Sequence, residues 1–361
     1  MRLMISGGGT GGHIYPALAL IQRLKERDML DAVMYVGTEK GLESRIVPNA
    51  KIPFETLALQ GFKRKLTVEN VKTVELFLGS LRKAGKMVKD FRPDVVVGTG
   101  GYVSAGVLFA AAQHHVPTVI HEQNSVAGVT NKFLAHFVDK VAITFPTVAS
   151  SFPAKKVVIT GNPRAQQVAG LKPNDRLAAF GLDPHKRTLL IFGGSRGAPM
   201  INKAALAALP AFSQAGFQTL FVTGTRHYGT ISKQLRQVPA GVKVVPYVDD
   251  MPQILPDVAL VVGRSGATSL AELTALGLPS VLIPSPNVTH NHQFVNAQSL
   301  ADAGAAVVIT EPQLAGSFAQ QVVSLMGDDA HLLQMAKAAK QMGTPDAADQ
   351  LIAVLEGVRQ H

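Results

Sequence analysis

The chain has 361 residues, 47% of them hydrophobic and 17% charged, enough apolar side chains to bury two α/β cores and too few charges for a disordered chain. It contains no cysteine and no tryptophan, which excludes disulfides, thiolate zinc sites and a cysteine nucleophile and suits a reducing cytosol. The formal charge of +10 favours anionic partners, and without RNA-type aromatic motifs or zinc-finger spacing these are expected to be phosphorylated substrates or acidic lipid rather than nucleic acid.

Met1 leads straight into a strand-like Leu3-Met4-Ile5 with no basic-then-apolar leader, so no export is expected. No apolar run approaches the ~20 residues of a bilayer span, and any membrane contact should be peripheral. The first strand ends in Gly7-Gly8-Gly9-Thr10-Gly11-Gly12-His13, followed by a helix expected to carry Pro16 in its first turn. Free amides at such a turn, with the positive end of the helix dipole, make a site for phosphate or diphosphate. The segment also fits the dinucleotide fingerprint G-x-G-x-x-G. That reading fails at the second strand, where Val36 is followed by Gly37-Thr38 before Glu39 and no acidic residue closes the strand.

Further strands are predicted at Ala32–Val36, Val95–Val97, Thr118–Ile120 and Lys140–Ile143. Val97 runs into a second glycine turn, Gly98-Thr99-Gly100-Gly101-Tyr102. Ile120 runs into His121-Glu122-Gln123-Asn124, four polar residues at the C-terminal end of a strand, where α/β proteins bind ligands. Adjacent strand residues point to opposite faces, which argues against His121 and Glu122 sharing a metal. No Asp-x-Asp pair occurs in the sequence, so no metal and no cofactor are expected. A diphosphate would instead meet helix termini, Ser195 and basic side chains such as Arg164.

A boundary is expected between Thr160 and Pro184, after which strands recur at Thr188–Phe192, Thr219–Val222, Val242–Val245, Ala259–Val262, Ser280–Ile283 and Ala306–Ile309. The strand and turn Leu189 to Ser195 repeat the pattern of Leu3 to Gly9. A fourth glycine turn, Gly263-Arg264-Ser265-Gly266-Ala267, precedes a helix bearing Glu272, a candidate acceptor for a ribose diol or, alternatively, an ordinary exposed carboxylate. Parallel βαβ units in two doubly wound domains follow, because eleven strands are too many for one open sheet.

Taken together, Gly8-Gly9-Thr10-Gly11-Gly12-His13, Gly100-Gly101-Tyr102-Val103-Ser104, His121-Glu122-Gln123-Asn124, Gly161-Asn162-Pro163, Gly193-Gly194-Ser195-Arg196-Gly197-Ala198 and Arg264-Ser265-Gly266-Ala267 resemble the MurG family, over nearly the whole chain. That family transfers N-acetylglucosamine (GlcNAc) from UDP-GlcNAc to lipid I in bacterial peptidoglycan synthesis. The resemblance implies a GT-B fold, two Rossmann-like domains facing a central cleft. The acceptor and membrane-facing domain is expected over residues 1–161, with a C-terminal helix at about 346–361 packing back on it, and the UDP-GlcNAc domain over 162–345. It implies donor contacts at Thr10, Gly11, Gly12, Asn124, Arg164, Gly194, Ser195, Val248, Ser265, Gly266, Ala267, Glu272 and Gln293. Acceptor contacts are implied at Tyr102, His121 and Glu122, with His13 or Glu122 as the general base. The stretches Ala267–Leu270 and Pro286–Gln293 depart from the family's usual residues.

The implied reaction inverts the anomeric carbon: the muramyl 4-hydroxyl of lipid I attacks as UDP leaves. A UDP-GlcNAc 2-epimerase shares the two-domain layout and is the alternative enzyme; a non-catalytic nucleotide-sugar-binding module leaves Tyr102 and residues 121–124 unexplained. The partners implied are UDP-GlcNAc, lipid I and an anionic membrane surface at the cytoplasmic face. Lys63, Arg64, Lys65, Lys72, Arg82, Lys83, Lys86, Lys89 and Arg92 give the stretch 61–92 a net charge of +6. Val71, Val74, Leu78, Leu81 and Val88 keep helical spacing for a core stripe, which leaves Leu76 and Phe77 for lipid, unless the helix is simply solvated or meets the other domain.

Overall fold

The structure, a computed structural model, describes residues 1–58, 68–194, 197–235 and 237–360, with the side chains of 68–78 and 289 excepted. Lys63, Arg64, Lys65, Ser195 and Arg196, and the side chains of Lys72, Leu76, Phe77 and the first part of the helical stripe, therefore lie outside the described residues. The chain divides into two compact units, Met1–Arg164 with Asp346–His361, and Ala165–Pro345.

Among the described residues the first unit holds seven strands, β1 (Arg2–Gly7), β2 (Ala32–Thr38), β3 (Phe54–Leu57), β4 (Val95–Gly100), β5 (Thr118–Glu122), β6 (Lys140–Ile143) and β7 (Val157–Ile159). They form one parallel sheet in the order β3-β2-β1-β4-β5-β6-β7. Successive residues of β1 serve opposite faces: Met4 joins one buried cluster, Leu3 and Ile5 the other. Both faces are covered, which is why the central strands are apolar without alternation. The helices α1 (Gly11–Glu26), α2 (Glu43–Asn49), α3 (Val68–Phe91), α4 (Tyr102–Gln113) and α5 (Val129–Leu134) belong to this unit. So does the C-terminal helix Ala347–Arg359, whose Leu351, Ile352, Leu355 and Val358 pack with Ile14, Leu20 and Leu24 of α1. Each of those four buried side chains contributes about 2 kcal/mol of apolar burial. Arg23 of α1 grips Asp349 through Nε and Nη2, at 2.8 and 2.7 Å.

The second unit holds β8 (Thr188–Phe192), β9 (Gln218–Val222), β10 (Val242–Val245), β11 (Leu260–Gly263), β12 (Ser280–Leu282) and β13 (Ala306–Val308), a parallel sheet in the order β10-β9-β8-β11-β12-β13. The strand order of the first sheet recurs here. In both units the direction of winding reverses between the first and fourth strands, and the crevice beyond their C-terminal ends is where open α/β sheets bind ligands.

Two strands, β3 and β7, escape the sequence reading. Both are edge strands of three or four residues, and Phe54-Glu55-Thr56-Leu57 has too little apolar character to stand out. Pro16 also needs correction. The helix begins at Gly11, because Thr10 O accepts the amides of His13 and Ile14, so Pro16 lies in the second turn rather than the first.

Candidate functional site

Each switch point carries two of the four glycine turns. In the first unit, Gly7–Thr10 follows β1 and Gly100–Gly101 follows β4, and the two turns interlock. Gly8 N donates to Gly100 O at 3.2 Å. Gly101 adopts φ +85° and ψ 159°, and a Cβ placed on it would lie 2.6 Å from Gly8 O. Only glycine fits that backbone and that approach.

The turn does not expose all of its amides, contrary to the simple sequence expectation. Gly8 N is taken by Gly100, and Gly9 N donates to Glu43 Oε2 at 2.9 Å. What is left for an anion is the start of α1, where the amides of Gly11 and Gly12 make no hydrogen bond among the described residues. Thr10 and Gly12 are exposed and Gly11 half-buried. The Arg164 guanidinium lies 5.6 Å over the Tyr15 ring, and Tyr15 in turn sits against Gly11.

His13 is half-buried. Its Nδ1 lies 2.8 Å from Gly8 O. A carbonyl only accepts, so Nδ1 carries a proton and donates, and Nε2 makes no hydrogen bond among the described residues. The ring lies close to Gly100, where an added Cβ would come 2.8 Å from His13 Cδ2.

His121 and Glu122 are placed differently from the sequence expectation, which set both side chains against the acceptor. His121 is fully buried; its Nε2 donates to Gly161 O at 2.8 Å, and Gln123 Nε2 donates to its Nδ1 at 3.0 Å. Burial pushes its pKa down, against the opposing effects of the Gly161 bond and the Glu122 charge, and the ring is held neutral. Glu122, 2% exposed, accepts from Asn124 N at 3.1 Å and from Gly128 N and Asn131 Nδ2, both at 2.9 Å. Its carboxylate shapes the loop bearing the half-buried Asn124. Tyr102, the first residue of α4, is 40% exposed and remains presented to solvent.

In the second unit, Gly194 and Gly197 take φ of +88° and +74° after β8 and lead into the helix Pro199–Gln214. A Cβ on Gly197 would meet Thr223 O at 2.3 Å, so glycine there lets the turn cross the end of β9. After β11, Gly266 caps the helix Ala267–Leu276. Ser265 is buried and its hydroxyl donates to Gln293 O at 2.7 Å. Its side chain thus ties the turn to the Gln293 segment, and the helix start at Gly266 and Ala267 is what an anion can meet. Arg264 is likewise internal, bonded to Ile283 O at 3.0 Å and paired with Glu311 at 2.5 Å. Gln293 Oε1 accepts the Ser285 amide at 2.9 Å; its Nε2 makes no hydrogen bond among the described residues. Glu272 is 8% exposed, not the ordinary surface carboxylate of the alternative reading. Val248 is buried beside the half-exposed Tyr247.

The residue that sequence reasoning missed is Glu43, at the start of α2 and fully buried. Its signal was present: a carboxylate just after Gly37-Thr38 and the turn that follows β2, two residues past Gly41. Among the described residues no cluster of three or more His, Asp or Glu side chains could hold a metal ion.

The glycosyltransferase family 28 N-terminal domain matches residues 3–143 and the family 28 C-terminal domain residues 188–351. A UDP-N-acetylglucosamine--N-acetylmuramyl-(pentapeptide) pyrophosphoryl-undecaprenol N-acetylglucosamine transferase of Lacticaseibacillus casei is 67% identical over 98% of both chains. One of Lactiplantibacillus plantarum with the same name is 60% identical over 99% of each. The crystal structure of Acinetobacter baumannii MurG superimposes with a TM-score of 0.78 at 28% identity, covering 99% of each chain. A UDP-GlcNAc 2-epimerase from Neisseria meningitidis, at 14% identity and a TM-score of 0.69, shares the fold alone. Two parallel α/β sheets with paired glycine turns and two family 28 domains make the fold GT-B-like, and the chain belongs to glycosyltransferase family 28 and within it to the MurG family.

Proposed function

We propose that the protein is an inverting N-acetylglucosaminyltransferase that moves GlcNAc from UDP-GlcNAc to the 4-hydroxyl of the N-acetylmuramyl residue of lipid I, forming lipid II. The observation that carries this reading is 67% identity, over 98% of both chains, to a transferase named for that reaction. In the reaction, the acceptor oxygen bonds to the anomeric carbon as the bond from that carbon to the β-phosphate oxygen breaks. The electron pair leaves with UDP, and the hydroxyl proton goes to a base. His13, with its proton on Nδ1 and its Nε2 lone pair free, suits that base. Glu122, the rival candidate, already accepts three hydrogen bonds in a buried site and is assigned to holding the Asn124 loop, as His121 is to holding Gly161.

The donor reading places UDP on the second unit. The helix start at Gly266–Ala267 offers amides to the diphosphate, a preorganised effect worth about 3 kcal/mol per donor in the transition state, and Gly194 is assigned to the same group. Glu272 is assigned to the ribose, Gln293 Nε2 to the sugar and Val248 to the base; Thr10, Gly11, Gly12, Asn124 and Arg164 complete the donor contacts, and Tyr102 serves the acceptor. Turnover of UDP-GlcNAc with a lipid-I analogue tests the whole: GlcNAc must appear on the acceptor, and release of N-acetylmannosamine instead would identify an epimerase. In the same preparation Glu272→Ala should weaken UDP binding at least tenfold by calorimetry, and an unchanged Kd removes the ribose assignment.

A lipid-linked acceptor has to be met at a membrane, and no helix among the described residues is long and apolar enough to cross one. The reading is therefore peripheral attachment at the cytoplasmic face through the first unit. Arg82, Lys83, Lys86 and Lys89 of α3 are exposed. Helix α4 packs against both α3 and α5, and on α5 and the turn after it Val129, Phe133 and Phe137 are 70%, 45% and 40% exposed, with the two rings in a cluster around Phe109. Basic and aromatic side chains in this combination support an interfacial surface, each basic residue adding about 1 kcal/mol near an anionic leaflet. Replacing Arg82, Lys83 and Lys86 by Glu should reduce co-sedimentation with anionic liposomes more than tenfold, with turnover of a soluble acceptor analogue retained. Undiminished co-sedimentation places the docking surface elsewhere.

A further inference from the structure

The Glu43 carboxylate is fully buried, and a buried charge is costly unless several donors meet it. Here Oε1 accepts from Thr38 N at 3.1 Å and from Thr38 Oγ1 at 2.6 Å, and Oε2 accepts from Gly9 N at 2.9 Å. Three glycines make the room: a Cβ on Gly8, Gly37 or Gly41 would fall 2.3, 2.6 or 2.1 Å from the Glu43 side chain. An apolar side chain of similar volume would fill the same space without those demands, so the carboxylate itself calls for an explanation.

The Gly9 amide and the Gly8 carbonyl are the two ends of one peptide group. Its N–H donates to Glu43 and its oxygen accepts from His13 Nδ1 at 2.8 Å. Carboxylate, peptide and imidazole thus form a continuous hydrogen-bonded row, in which the anion polarises the peptide and strengthens its carbonyl as an acceptor. A stronger acceptor at Nδ1 fixes the tautomer and the orientation of the ring.

We propose that Glu43 is a positioning residue for the transfer reaction: acting through the Gly8–Gly9 peptide, it holds the His13 imidazole in the orientation and tautomer that leave Nε2 ready to take the acceptor's proton. The proposal rests on His13 being the base. Other ionisable groups packed around the turn are Tyr35 and the Arg164–Tyr15 pair. Tyr35 donates its hydroxyl to Gly7 O, and its pKa is raised by burial and by the Glu43 charge, so it stays neutral. The Arg164–Tyr15 pair lies at Gly11.

The test is steady-state kinetics of the full chain with UDP-GlcNAc and a lipid-I analogue. Glutamine offers one acceptor oxygen and turns its NH2 group toward a donor. Glu43→Gln should therefore lower kcat about 10- to 100-fold with the UDP-GlcNAc KM little changed. Wild-type kcat in Glu43→Gln, with His13→Ala inactive, overturns the role of Glu43 and leaves His13 as base. An active His13→Ala overturns the base assignment and this proposal with it. Should Glu43→Gln fail to fold, 15N NMR of the histidine-labelled wild-type chain decides, with His13 identified by its absence in His13→Ala. A neutral ring protonated on Nδ1 supports the row, and one protonated on Nε2 overturns it.

Discussion

His13→Ala is expected to lower kcat by about 10²- to 10⁴-fold, the range for loss of a general base, while the KM for UDP-GlcNAc and the Kd of UDP change less than twofold. The split follows from where the side chain sits. His13 is on the first turn of α1 in the first unit, whereas the uridine and ribose contacts are assigned to the second, and a group that acts only on the transferring proton leaves ground-state donor binding alone. The only described hydrogen bond lost is that from Nδ1 to Gly8 O, worth about 1 kcal/mol, so the variant should remain folded. Steady-state rates with a lipid-I analogue, set beside calorimetric UDP titrations, check the split. A parallel loss of UDP affinity makes His13 a diphosphate contact, and retained kcat removes it from the chemistry.

Gly101→Ala should be the most damaging single-methyl change in the first unit. At φ +85° and ψ 159° the backbone lies in a region open essentially to glycine, and an L-residue there costs about 1–3 kcal/mol. The methyl group would also sit 2.6 Å from Gly8 O, 3.2 Å from Gly8 C and 3.3 Å from Gly8 N. Those are backbone atoms held by the Gly8–Gly100 bond, so relief requires the turns to separate, and overpacking of this kind adds about 1–3 kcal/mol. A combined loss of about 2–6 kcal/mol is comparable with the whole stability of an ordinary domain. Separated turns would also displace Gly8 O, the acceptor that orients His13, so activity should fall further than stability alone requires. Gly357→Ala is the matched control: Gly357 lies inside the C-terminal helix with nothing within 4 Å of an added Cβ, and alanine there should stabilise by about 0.5–1 kcal/mol. Thermal melts and turnover of the two variants check both expectations. A Gly101→Ala protein with wild-type melting and turnover shows that the turns can part at little cost.

Much of the fold was legible in the residues. Apolar runs such as Val95–Val97 and Leu189–Ile191, each ending in glycines and followed by helical spacing, mark buried parallel strands, and the restart after residue 184 marks the second sheet. These are local signals, carried by periodicity and by glycine's reach into positive φ. The edge strands β3 and β7 were not legible, because an edge needs neither length nor a continuous apolar run.

The site divides along the same line. The sequence by itself determined the four glycine turns at strand ends, the polar run His121–Asn124 and the family to which their order belongs. Only the tertiary structure decided which groups are left for a ligand. Gly8 and Gly9 lose their amides to Gly100 and to Glu43, partners 92 and 34 positions away in the chain. His121 spends both ring nitrogens inside the protein and Glu122 spends its carboxylate on its own loop, whereas His13 Nε2 has no partner among the described residues. The reason is that a polar residue's type states what it can bond, while its partner is chosen by whatever the packed sheet brings within 3 Å, and a buried group must take that partner because water is no longer available.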